Sequence, residues 1–147
     1  MSDIRTVWRE LGGDWLVAGP SLADDDGLET AVVLSLFSDR LAADGDAGVA
    51  PTARRGWWGD AYADVPGDLI GSRLWTLARE KQTTEVLARA ELYAREALQW
   101  LVDDGVASNV AAAAEWMRDG VLGMQVTITR SAAPVLQFRF DSFWKGL

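Results

Sequence analysis

Val121-Leu122-Gly123-Met124-Gln125-Val126-Thr127-Ile128-Thr129, followed after a short break by Leu136-Gln137-Phe138-Arg139-Phe140-Asp141, decides the fold class. Leu122, Met124, Val126 and Ile128 alternate with Gly123, Gln125, Thr127 and Thr129. Leu136, Phe138 and Phe140 alternate with Gln137, Arg139 and Asp141. Period two sends successive side chains to opposite faces, so each stretch is expected to be a half-buried strand. Ser131-Ala132-Ala133-Pro134 joins them as a hairpin. Just upstream, Ala107 to Met117 is alanine-rich, which favours helix. Yet Val110, Ala112, Ala114 and Trp116 also alternate, and the segment is read as a third strand. The C-terminal third is therefore expected to form a three-stranded antiparallel meander.

Further upstream the period changes to that of a helix. From about Thr84 to Asp103, Val86, Ala90, Tyr93, Ala97 and Leu101 recur at three and four. Glu85 with Arg89 and Glu91 with Arg95 are acid-first i,i+4 pairs, and Gly105 suits a C-terminal cap. A helix over about 69–81 is expected from Ile70, Leu74, Leu77 and Ala78. Another is expected over about 28–43, where Leu28, Val32 and Leu36 form one row and Val33, Phe37 and Leu41 the next. Thr30 to Phe37 is also rich enough in β-branched residues to be a buried strand. Asp26 with Glu29 three residues on resembles a capping box and favours helix. Asp14 to Ala18 is a short strand ahead of Gly19-Pro20. The expected fold is α+β: about three helices packed on a small C-terminal antiparallel sheet, a three-stranded meander plus a short N-terminal strand. The whole of residues 1–147 is expected to be one domain.

Composition narrows the chemistry. The 147 residues are 49% apolar and 24% charged, an ordinary globular balance able to bury a core. With no cysteine and no histidine, disulfides, thiolate catalysis, histidine triads and the usual zinc sites are excluded. A net charge of −8 argues against sequence-independent attraction to nucleic acid or to an anionic membrane. Eight tryptophans and twelve arginines stand against two lysines. Trp and Arg are enriched at protein–protein interfaces and Lys is depleted there, so composition leans toward an assembly component. No signal peptide or membrane span is visible, and a cytoplasmic site of synthesis is expected.

Carboxylates are the catalytic chemistry that remains. Asp60, Asp64 and Asp68 lie in a Gly/Asp-rich loop over 44–68 that also carries Trp57, Trp58 and Tyr62. Paired acids beside tryptophan platforms would suit a cell-wall glycosidase. Solvated loop acids with cap duty are the plainer account. Asp44-Gly45-Asp46 fails the EF-hand pattern at its fifth and sixth positions, Gly48 and Val49, so no metal and no cofactor is expected. Arg54-Arg55-Gly56-Trp57-Trp58-Gly59-Asp60 is the most distinctive segment. It reads either as an interface anchor or as an internal pin, with Arg55 bridging to Asp60 or Glu29. Trp75 and Trp100 fall off the main apolar faces of their helices, as second-layer core or as contact surface. Val121–Thr129 carries no charge, which suggests an open sheet edge at Gln125, Thr127 and Thr129 that invites a partner strand. The alternative is that the N-terminal segment around Trp8 and Trp15 covers that edge.

An ordered set of segments carries a family likeness: Asp3-Ile4-Arg5-Thr6, Gly13-Asp14-Trp15, Leu28 to Arg40, Arg55 to Asp60, Gly71-Ser72-Arg73-Leu74-Trp75, Ala90 to Leu101 and Phe138 to Asp141. Over nearly its whole length the chain resembles the Mu-like phage tail baseplate proteins, part of the wider contractile-tail wedge and sheath-initiator superfamily. The resemblance implies a non-catalytic structural protein of the virion tail baseplate, assembled in the bacterial host cytoplasm. Its implied partners are other wedge proteins and the tail sheath subunits, whose first ring it would template; alone it could be a monomer. An unrelated cytoplasmic adaptor is the further alternative. Where many superfamily members carry a Glu-Pro-Arg run, this chain reads Asp104-Gly105-Val106-Ala107, so a wedge contact through those charges is not carried over. The candidate interface residues are Arg54, Arg55, Trp57, Trp58, Asp60, Arg73 and Trp75 in the loop region, and Gln125, Thr127 and Thr129 on the sheet.

Overall fold

A computed structural model describes residues 3–9, 12–25, 27–46, 49–50 and 52–145, with side chains as far as Asp141. The alternating C-terminal segments are strands: β7 (Asn109–Arg118), β8 (Val121–Thr129) and β9 (Leu136–Lys145). They form an antiparallel sheet in the order β7-β8-β9, with Ala113 opposite Gln125 and Gln125 opposite Arg139. The even-numbered residues of β8, Leu122, Met124, Val126 and Ile128, are buried. Those of β7, Val110 to Trp116, pack against the same core. Alanine at 112 and 114 suits this face because a helix lies close beneath it.

That helix is α2 (Thr84–Leu98), which buries Val86, Ala90, Tyr93, Ala94, Ala97 and Leu98. The Thr83 hydroxyl accepts the Val86 N–H at 3.2 Å and caps it. Beyond a bend at Gln99 the helix continues for one turn, Trp100–Asp103, with Leu101 fully buried. The expected i,i+4 pairs are replaced by tertiary ones. Arg89 pairs with Glu80 at 3.3 Å, and Glu91 accepts the Ala114 N–H of β7 at 2.9 Å.

The expectation of about three helices is overturned. Among the described residues, apart from the bent helix there is one short one, α1 (Glu29–Phe37), and the remaining regular structure is mostly strand. The helix expected over 28–43 stops at Phe37 because residues 38–42 peel away as extended chain. Their backbone groups pair elsewhere: Arg40 N–H with Ser72 O, and Ala42 N–H with Arg54 O, both at 2.9 Å. The helix expected over 69–81 is absent. Ser72 N–H bonds Ser38 O at 2.9 Å, and the Ser72 hydroxyl donates to Leu36 O at 2.6 Å, holding 69–73 out of a helix. Only Leu74–Leu77 turns, as a 3-10 helix. Its three-residue period sends Leu74 and Leu77 into the core, so one turn satisfies the apolar spacing that suggested a whole helix.

The single N-terminal strand expected over 14–18 is also corrected. Among the described residues, six short strands form three antiparallel pairs: β1 (Asp3–Ile4) with β6 (Asp24–Asp25), β2 (Thr6–Arg9) with β3 (Gly12–Trp15), and β4 (Val17–Ala18) with β5 (Ser21–Leu22). They dock on α1. The Thr30 hydroxyl accepts the Thr6 N–H at 3.0 Å and donates to Ile4 O, and Arg5 pairs with Glu29 at 2.7 Å. The capping residue proposed at Asp26 lies outside the described residues. Asp25 instead accepts the Thr30 N–H at 2.7 Å at the head of α1. Burial pushes the Asp25 carboxyl up, but hydrogen bonds from Thr30 and Gly27 and the charge of Arg5 outweigh it. The carboxyl is held below the usual aspartate value.

Candidate functional site

The Arg-Trp loop is pinned from within by the arginines that made it distinctive. Arg54 donates twice to Ala42 O, at 2.7 and 3.2 Å, and pairs with Asp44. Arg55, at φ 55, pairs with Asp39 at 2.7 Å and lies over the Trp75 ring at 4.5 Å. Its expected partners are engaged elsewhere, Glu29 with Arg5 and Asp60 with the Ile70 N–H at 3.2 Å. Trp75 is half-buried and donates its indole N–H to Arg40 O at 2.8 Å. Arg73 bridges Asp46 and Glu96 at 2.9 and 3.0 Å and covers the Tyr93 ring. Partial burial lowers the Arg73 pKa, but Glu96, Asp46 and Tyr93 more than offset it, so the guanidinium stays charged. Arg54, Arg55, Arg73 and Trp75 therefore each hold a partner inside the molecule, with the Arg55 side chain still 54% exposed.

What this frame presents outward is aromatic. Residues 58–62 form a 3-10 turn in which no residue is buried. Trp57 is 51% exposed, Trp58 76% and Tyr62 79%. Trp57 and Trp58 are 5.5 Å apart between centroids, and Trp58 and Tyr62 6.3 Å. Trp57 lies so close over Gly59 that a β-carbon there would collide with its ring. The three rings edge a groove of about 750 Å³. Its apolar side includes Leu34, Ile70 and Trp100, and the Trp100 indole is fixed by a 3.1 Å hydrogen bond to Ser35.

Asp60, Asp64 and Asp68 all line this groove. Asp64 and Asp68 are exposed at its rim, whereas a general acid needs a dry pocket that keeps its proton. Asp60 is half-buried, and one of its carboxylate oxygens is buried without a hydrogen-bond partner. Among the described residues no group of acids is arranged to hold a metal ion.

The sheet surface also differs from expectation. Gln125, Thr127 and Thr129 do point away from the core, but β8 is the central strand and not an edge. The lack of charge along Val121–Thr129 reflects a strand flanked on both sides. The edges are β7 and β9. The Ala114 N–H, taken by Glu91, shows that even-numbered amides of β7 face outward. By the alternation of an antiparallel ladder, Gln137 and Arg139 then turn their amides outward from β9. Arg139 pairs with Asp141 and, across the outer face, with Glu115 at 3.3 Å. The N-terminal strands do not pair with either edge: Trp8 stacks on Phe37 instead, with ring centroids 3.6 Å apart.

Trp100, expected as second-layer core or contact surface, and Tyr62 of the aromatic loop join the groove, as do Leu34 and Asp104, which were not singled out from the sequence as site residues. Leu34 carried a signal, since it falls off both apolar rows of α1. Tyr62 stood in the same loop, four residues after Trp58.

The sequence profile of a family described as phage protein GP46 matches residues 28–135. The baseplate protein gp46 of Escherichia phage Mu is 41% identical over 150 aligned positions, covering 100% of both chains. The Mu-like prophage FluMu protein gp46 of Haemophilus influenzae is 42% identical over 144, covering 98% of each.

Proposed function

The chain belongs to the phage protein GP46 family, and on that premise we propose that it is a structural component of a contractile phage tail baseplate, docking to wedge proteins and templating the first sheath ring. It works without catalysis, in the virion tail, after assembly in the bacterial host cytoplasm. The full-length likeness to a protein named for the baseplate supports the location. The observation that carries the templating role is β9, ten residues long and with no hydrogen-bonded strand on its outer side among the described residues. An extended arm of a sheath subunit laid along it would take up the outward amides and carbonyls of Gln137 and Arg139. The outer-face side chains of Gln125, Thr127 and Thr129 would then contribute to recognition.

Gln137→Pro tests this directly. It removes one outward donor and leaves the β8–β9 ladder intact, a placement proline tolerates on edge strands. The variant is expected to fold and to lose nucleation of sheath rings. In the parent, outward β9 amides are expected to gain hydrogen-exchange protection when sheath subunit is added. Unchanged nucleation together with unprotected amides would refute strand addition. Purified protein should leave peptidoglycan intact. Clearing that disappears in Asp60→Asn or Asp64→Asn would instead make the groove a glycosidase site.

A further inference from the structure

The groove at the Arg-Trp loop combines exposed aromatic rings, an apolar side and acids, and among the described residues no arginine or lysine lines it. The arginines around it, Arg40, Arg54, Arg55 and Arg73, are bonded elsewhere. Asp64 and Asp68 stand exposed at the rim. We propose that this groove is the docking site for an arginine-bearing segment of a partner protein in the assembly, with guanidinium groups held between the rings of Trp57, Trp58 and Tyr62 and the carboxylates of Asp64 and Asp68.

The charge of the groove selects the occupant. A guanidinium gains from stacking on an indole or phenol face and from two-point bonding to a carboxylate, and this groove offers both within one loop. The apolar side formed by Leu34, Ile70 and Trp100 suits aliphatic neighbours of that arginine. The loop is fixed before binding, by Arg54 on Ala42 O, Arg55 on Asp39 and Asp60 on the Ile70 N–H. Little ordering cost therefore remains for the complex. Packed aromatic anchors in a rigid frame are where interface energy concentrates. A neutral glycan could stack on the same rings but would leave the acids unused.

The inference rests on the baseplate reading for its partner, and two experiments separate them. The first needs no baseplate. The full chain is titrated with the peptide Ac-Leu-Arg-Leu-Arg-Leu-NH2, with its citrulline counterpart, and with tetra-N-acetylchitotetraose, following the indole N–H resonances. The arginine peptide is expected to move Trp57 and Trp58. The citrulline peptide should bind at least about tenfold more weakly, and an Asp64→Asn/Asp68→Asn variant should lose that preference. No shift at millimolar arginine peptide, equal response to citrulline, or binding by the sugar alone would each overturn the proposal. The second uses the cognate prophage with this gene removed. If the parent chain fails to restore tailed particles, the baseplate reading falls. If it restores them and Asp64→Arg/Asp68→Arg does so equally well, with an unchanged melting temperature, the groove proposal falls alone.

Discussion

Trp58 is one of the largest side chains in the molecule and one of the most exposed. A buried tryptophan cut to alanine typically costs about 3–5 kcal/mol, whereas exposed positions usually stay within about 0.5 kcal/mol. Trp58→Ala should thus melt close to the parent while failing in baseplate assembly. Thermal unfolding and particle yield measured on the same variant check this. Gly71 is the opposite case: it sits at φ 90, and a β-carbon there would run into the Ser38 carbonyl. Gly71→Ala should lower unfolding free energy by at least about 1–3 kcal/mol in a denaturant titration. Asp25 gives a pH signature. Its folded pKa is depressed, so its contribution is fully present above the unfolded value near 3.8 and is lost as pH falls through the lower folded value. Asp25→Asn should be less stable than the parent at neutral pH, with the gap closing in strong acid. Residue types in the Arg-Trp loop were legible from sequence, but their directions were not. Arg54 turns inward because Ala42 O, twelve positions back, lies within reach.

Elements whose stability is local were the legible ones. α2 carries its own period and its own cap, and Thr83→Ala should cost about 0.5–2 kcal/mol, read as a shift in denaturation midpoint. The C-terminal strands alternate cleanly and form as expected. The segments at 38–42 and 69–73 were misread because their conformation comes from each other. Asp39 and Ser72 form a parallel bridge, and the Ser72 hydroxyl reaches back to the end of α1. Apolar spacing around Leu74 and Leu77 reports that these positions are buried, and a 3-10 turn buries them as well as an α-helix would. The N-terminal strand pairs are two to four residues each, too short for alternation to show. The aromatic content of the groove stood in the sequence. Its shape did not, because Leu34, Ile70 and Trp100 reach it from three separate parts of the chain.

Across the whole molecule, one aromatic path links the N-terminal strand pairs to the sheet. Trp8 of β2 stacks on Phe37 with planes 7° apart, and Phe37 meets Phe140 of β9 edge-on at 5.3 Å. Phe37 and Phe140 belong to the core region built on α1, α2 and the sheet, whereas Trp8 is the ring that the N-terminal part contributes to it. Among the described residues, further ties are Thr30 with the backbone of Ile4 and Thr6, the Asp25 carboxylate with the Thr30 N–H, and Arg5 with Glu29. Removing Trp8 and removing Phe37 should therefore differ in kind. Phe37→Ala breaks both ring contacts and should lower global stability by about 3–5 kcal/mol. Trp8→Ala should leave the sheet and α2 nearly as protected as before, while amides in β2 and β3 exchange much faster, because they open without global unfolding. Hydrogen exchange resolved by residue distinguishes the two. If Trp8→Ala speeds exchange equally in β8 and α2, the N-terminal strands are part of the cooperative core rather than a layer docked on it.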